Sequence, residues 1–115
     1  MVEYQWGIFW ADLEPTKGSE QAGTKPVLVI SAEEVNEALP IVTILSLTSA
    51  KLGRKIYSIE VLLSSKETGL PKASIAMAHQ IRAIAKERLG EKCGIINSDE
   101  IKEQVRIAIK TYLDL

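Results

Sequence analysis

A polar loop of about a dozen residues separates two apolar segments near the start of the chain, and it carries Ser19, Glu20, Gln21 and, at its far end, Lys25. Two-residue turns suffice to reverse a strand, so a loop of this length points to function. Glu20 offers an acid/base group and Lys25 a cation, while Gly18 and Gly23 let backbone approach a ligand closely. Further along, Thr48 and Ser49 end an apolar run from Ile41, where a hydroxyl can project into a site and donate to phosphate. Gln80 and Arg82 stand two apart and share a face if their segment is a strand. Ser74 is a weaker candidate for contact with a base. Together these groups supply an acid/base, a cation and hydroxyl donors, the three kinds of group that acid–base chemistry at a phosphate needs.

Each of these residues has a plainer use. A loop lysine is usually solvated, a threonine at a strand end usually caps the turn, and Gln80 and Arg82 fit an ordinary polar strand face. His79 reads as a partly exposed strand side chain rather than an acid/base. Trp6 and Trp10 could stack on bases, but aromatics in alternating strands read first as core or interface.

The elements that position these groups are mostly strands. Gly7–Leu13 and Pro26–Ser31 read as β, the first apolar on both faces. Ser31 with Glu34 forms a capping-box pattern for a short helix over Ala32–Ala38, which Pro40 stops. Ile41–Leu47 is a buried strand, and the alternation from Tyr57 to Leu63 marks a half-buried one. After turn signals at Gly69 and Pro71, Ala73–Ala78 and Gln80–Ala85 read as strand. The three-residue spacing of Ile81 and Ile84 predicts a bulge or bend. Asn97–Leu115 reads as a helix capped by Asn97 or Ser98, with Ile101, Val105, Ala108, Tyr112 and Leu115 on one stripe. Strands followed by one C-terminal helix imply an α+β domain with a curled antiparallel sheet.

The 115 residues, 46% hydrophobic, suit one domain spanning 1–115 with a compact core. No stretch approaches the roughly 20 apolar residues of a membrane span, and no signal-like segment is expected. One cysteine, Cys93, excludes an internal disulfide framework and suits a reducing cytoplasm; with one histidine, it argues against a zinc site of the usual kind. The net charge of −1 is segregated. Residues 1–50 carry two bases against seven acids, whereas 51–92 carry nine bases against four acids. The basic stretch could attract a phosphate backbone or simply be a solvated surface.

The order of these pieces, ADLEP then GSEQAGTKPVLVIS, Leu47-Thr48-Ser49, Gly69-Leu70 with Ser74, and Gln80-Ile81-Arg82-Ala83-Ile84, resembles the MazF/PemK-type toxins along nearly the whole chain. The resemblance implies a small SH3-like antiparallel β-barrel with a C-terminal helix. It implies a sequence-specific, metal-independent endoribonuclease of single-stranded RNA, with no cofactor, acting as a cytoplasmic homodimer opposed by a MazE-like antitoxin. It gives Lys25 and Thr48 catalytic roles and makes Ser19, Glu20, Gln21, Ser49, Ser74, Gln80 and Arg82 substrate contacts. At Lys25 the family pattern carries arginine; lysine keeps the charge but loses the planar fork that grips phosphate at two points. The rival expectation is a non-enzymatic protein on the same scaffold that binds gyrase, RNA or antitoxin without cutting. The intact loop and the Leu47-Thr48-Ser49 motif argue against it, because a gyrase binder has no need of them.

Overall fold

The computed structural model describes residues 2–13 and 24–115. Ser19, Glu20 and Gln21 therefore lie outside the described residues. Six strands, β1 (Gly7–Asp12), β2 (Thr24–Val29), β3 (Ile41–Ser49), β4 (Glu60–Leu63), β5 (Ser74–Ala85) and β6 (Leu89–Ile95), form one sheet in the order β4-β5-β3-β2-β1-β6. Every pairing is antiparallel. Among the described residues three α-helices accompany it, α1 (Glu33–Ala38), the single turn α2 (Ser65–Thr68) and α3 (Asp99–Leu113), with one 3-10 turn at Lys86–Arg88 between β5 and β6.

The sheet is buried on both sides, as the two apolar faces of β1 require. Ile8, Leu28, Leu45 and Leu47 pack with Val105 and Ala108 of α3 in one cluster. Phe9, Val27, Val29, Val42 and Ile44 form the other. Alternation along each strand assigns successive side chains to the two clusters in turn.

The expected barrel is not closed by strand pairing among the described residues, because β4 and β6 are the two ends of the sheet. Instead α2, which follows β4 directly, packs against β6. Gly94 permits this approach: a Cβ at that position would lie 2.6 Å from the Thr68 carbonyl oxygen. α2 was not foreseen, although Ser64 caps it by accepting the Glu67 N–H at 3.2 Å and Gly69 ends it at φ 84°. β6 was not foreseen either.

Four expectations need correction. Ser31 does not cap α1; the N-cap is Ala32, and no side chain caps it. The Ser31 hydroxyl donates to the buried Asn36 side chain and accepts the Thr43 N–H at 2.9 Å, tying α1 to β3. The strand expected from Tyr57 begins only at Glu60, because the Glu60 carboxylate takes the Tyr57 N–H at 3.1 Å and the Glu60 N–H returns to the Tyr57 carbonyl at 2.9 Å. α3 is shorter than the expected Asn97–Leu115, running Asp99–Leu113, while Ser98 caps it as one of the two expected residues, its hydroxyl accepting the Ile101 N–H at 3.2 Å. The buried stripe of α3 stops at Ala108, leaving Tyr112 and Leu115 exposed. The predicted bulge is present: Ile44 pairs with Arg82, but Ser46 pairs with Met77, so β5 accommodates extra residues across that step.

Candidate functional site

The site grows from a split in the sheet. β2 and β3 are hydrogen-bonded from Val29↔Ile44 through Val27↔Ser46, and there the pairing ends. Continuing the same register by two residues sets Lys25 opposite Thr48. Each stays anchored on its outer side, Lys25 to Ala11 of β1 and Thr48 to Ile75 of β5. Pro26 sits at the parting point and has no N–H to give to a neighbouring strand. The two strands therefore separate while remaining parts of a rigid sheet.

A cavity of about 250 Å³ occupies the opening, bordered by Lys25, Thr48, Ser49 and Ser74, with Thr24 and Trp10 beside them. Ser49 and Ser74 are a direct cross-strand pair, which brings their two hydroxyls to one rung. Lys25 and Ser49 are exposed, Thr48 is half-buried and Ser74 is buried. Lys25 thus meets a ligand as a cation open to solvent, with Thr48 on the facing strand. Alternation places Lys25 and Thr48 on the same side of the sheet, since Val27 and Val29 of β2 join the same cluster as Val42 and Ile44 of β3.

The arrangement brings together four of the sequence-predicted residues: Lys25, Thr48, Ser49 and Ser74. Gln80 and Arg82 are not among the residues bordering the cavity. Arg82 pairs with Ile44, four residues along β3 from Thr48, or roughly 13 Å at ordinary strand rise. Trp10, expected in the core or an interface, is 43% exposed and borders the cavity, whereas its neighbours Phe9 and Ala11 are buried. A second cavity of about 290 Å³ adjoins the first, sharing Trp10, Pro26, Ser49 and Ser74 with it and walled further by Leu70 and Pro71.

The segment that leaves the site is fixed in place. After Ser49, the Ala50 N–H donates to the Ala73 carbonyl at 3.1 Å. Arg54 then grips the Glu60 carboxylate at two points, 3.0 and 2.8 Å, and also donates to the Lys55 carbonyl at 2.7 Å. The Arg54 guanidinium holds the Glu60 carboxyl below the usual carboxylate range, with the Tyr57 N–H helping, against a burial effect that raises it. No helix among the described residues is long and apolar enough to cross a membrane.

The sequence pattern of a family described as "PemK-like, MazF-like toxin of type II toxin-antitoxin system" matches residues 4–113. Endoribonuclease MazF9 of Mycobacterium tuberculosis is 36% identical over 113 residues, covering 94% of this chain and 93% of that protein. Endoribonuclease EndoA of Bacillus subtilis is 32% identical over 115 residues, covering 100% and 97%. Among solved structures, MazF from Deinococcus radiodurans has a TM-score of 0.82 at 22% identity, over 100% of this chain and 99% of that one. An endoribonuclease from a mycobacterial species, in complex with its cognate antitoxin, has a TM-score of 0.80 at 21% identity, over 99% and 97%.

Proposed function

The chain belongs to the PemK-like, MazF-like toxins of type II toxin–antitoxin systems, and from that premise we propose that it is an endoribonuclease that cuts single-stranded RNA in the opening between Lys25 and Thr48. The observation that carries the assignment of residues is the open cation of Lys25 facing Thr48 across the split in the sheet, with Ser49 and Ser74 bordering the same cavity.

The chemistry follows from those groups. The 2′-oxygen of the nucleotide attacks its own 3′-phosphate; a P–O2′ bond forms and the P–O5′ bond breaks. The 2′-hydroxyl loses a proton and the departing 5′-oxygen gains one. The products are a 2′,3′-cyclic phosphate and a 5′-hydroxyl. Negative charge peaks on the non-bridging oxygens of the phosphorane. Lys25 stabilises it as a fixed positive charge, and the Thr48 hydroxyl donates a hydrogen bond that is strongest when that charge is greatest. Ser49 and Ser74, which alternation turns to the other face of the sheet, border the opening where the flanking nucleotides pass. The nucleophile belongs to the substrate, so the step needs no metal-bound water.

Ser19, Glu20 and Gln21 precede Thr24 by a few residues and are proposed substrate contacts. Arg82 and Gln80 contact RNA away from the reacting phosphate. A homodimer and a MazE-like antitoxin whose acidic extended segment covers the same opening complete the proposal. Cleavage of a long unstructured RNA in EDTA, with both new ends mapped, tests it. Discrete cuts bearing 5′-hydroxyl ends, lost in Lys25→Ala and Thr48→Ala, are expected. A folded wild-type protein that leaves every such RNA intact would overturn the assignment.

A further inference from the structure

Resting on the ribonuclease reading, we propose that the chamber walled by Trp10, Pro26, Leu70 and Pro71 takes an unpaired nucleobase adjacent to the cleaved phosphate, with the Trp10 indole as its stacking surface.

Trp10 departs from the strand it belongs to. Its neighbours Phe9 and Ala11 are 3% and 1% exposed, while Trp10 is 43% exposed. The strand on its other side leaves it uncovered: a Cβ at Gly90 would come within 3.8 Å of the Trp10 Cβ, so the residue of β6 beside Trp10 has no side chain to lay over it. On the inner side, Trp10 pairs directly with Pro26, the residue at which β2 leaves β3. One ring therefore stands at the border of both cavities.

The two cavities differ in chemistry. The one containing Lys25 and Thr48 presents a cation and hydroxyls, as a phosphate requires. The adjoining one presents apolar walls, Leu70 and Pro71 opposite Trp10, with the paired Ser49 and Ser74 hydroxyls and Lys72 at its margin. A nucleobase has this same division, with apolar faces and a hydrogen-bonding edge. Because the chambers share Trp10, Pro26, Ser49 and Ser74, they adjoin at the split in the sheet, and a chain whose phosphate lies against Lys25 can pass a flanking base through to the indole. A base can enter only when unstacked from a partner strand, which accounts for a preference for single-stranded RNA.

The test uses a short RNA containing a cleavage site mapped on wild-type protein, with the nucleotides flanking the cut replaced one at a time by an abasic residue. At one flanking position the abasic substitution raises the wild-type KM by on the order of ten- to a hundred-fold. Trp10→Phe, which keeps a stacking ring, retains most of that penalty. In Trp10→Ala the penalty at that position shrinks to within about three-fold, because the two changes remove the same contact. Independently of any loss of folding in Trp10→Ala, wild-type fluorescence is quenched by the same RNA blocked with a 2′-deoxy nucleotide at the cut. Trp10→Phe loses that quenching, since the remaining Trp6 is buried.

Equal penalties in wild type and Trp10→Ala, or an undiminished quenching in Trp10→Phe, would overturn the subsite while leaving the ribonuclease intact. So would a flat abasic profile in which Trp10→Ala weakens antitoxin binding alone, which would give the chamber to a protein side chain. Absence of any cut by wild-type protein would overturn the ribonuclease reading itself.

Discussion

Lys25 falls opposite Thr48 in the register set by Val27↔Ser46 and Leu28↔Leu45, yet the paired ladder stops before it reaches them. The two residues are held apart by their outer partners, Ala11 and Ile75, rather than by each other. A gap made this way is preorganised. Closing it would need β1–β2 or β3–β5 pairing to break, so a substrate phosphate meets donors already fixed in place, which is where electrostatic stabilisation is most effective.

That rigidity sets what substitution should do. Lys25→Ala removes the only positive charge bordering the polar cavity among the described residues and should lower kcat by on the order of a hundred- to a thousand-fold. Lys25→Arg keeps the charge and adds a two-point grip on phosphate, so it should remain within about ten-fold of wild type. Thr48→Ala should cost about a hundred-fold, and Thr48→Ser much less, because the hydroxyl is the working group. Single-turnover cleavage of one mapped RNA checks all four. If Lys25→Ala cuts nearly as fast as wild type, the charge role is wrong.

Arg82 should behave differently. It pairs with Ile44, roughly 13 Å along β3 from Thr48, and does not border the cavity that holds Lys25. In the proposed complex it holds a distant phosphate, so Arg82→Ala should raise KM, leave kcat nearly unchanged and reduce the salt dependence of binding by about one phosphate contact. Titrations at several salt concentrations measure this. A loss confined to kcat would place Arg82 in the reaction itself.

Stability should depend on pH through Glu60. Arg54 holds the folded Glu60 carboxyl below its ordinary value of 4.5, so the unfolded chain binds the proton more readily than the folded one. The contribution is fully present above the unfolded pKa and is lost as pH falls through the folded pKa, giving a decline that begins near pH 4.5 and continues below it. Glu33 acts in the same direction: burial raises its pKa, but the N–H groups of Tyr4 and Gln5 and the Asn36 amide together lower it further. Thermal unfolding of wild type should therefore shift to lower temperature between pH 5 and about 3, with a shallower slope in Glu60→Gln. Identical slopes would show that Arg54 and Glu60 contribute nothing through ionisation.

Much of this was legible in the residues, for reasons that also explain what was not. β1, β2 and β3 could be read because their apolar runs are long enough to state a period, and the bulge in β5 followed from the Ile81–Ile84 spacing. β6 was hidden because Leu-Gly-Glu-Lys-Cys-Gly-Ile has no alternation, and its place is fixed by pairing with β1. α2 is a single turn, and its Ser64–Glu67 cap and Gly69 stop were the only local sign. Tyr57 to Leu63 alternates like a strand, but the buried Glu60 carboxylate turns its first residues back on themselves. Lys25 and Thr48 were recognisable one at a time; their juxtaposition depends on where a ladder ends, which alternation does not encode. The exposure of Trp10 depends on Gly90, a residue distant in sequence and adjacent only through β1–β6 pairing.

The seam between β4 and β6 provides the last prediction. Its two edge strands are bridged by α2, and the bridge rests on Gly94 having no side chain, since a Cβ there would approach the Thr68 carbonyl oxygen to 2.6 Å. Backbone on both sides leaves little room to yield: Thr68 is buried and its hydroxyl accepts the Leu70 N–H at 3.0 Å, while Gly94 is locked opposite Ile8. Gly94→Ala should therefore destabilise the fold by about 1–3 kcal/mol, the range for a forced overlap in a packed region. Gly53 offers the contrast, because a Cβ there meets nothing and only its φ of 81° opposes substitution, so Gly53→Ala should cost about 1–2 kcal/mol, all of it from backbone conformation. Denaturant unfolding of both variants distinguishes the two causes. No loss in Gly94→Ala would mean that α2 can move off β6 freely and that the seam is held elsewhere.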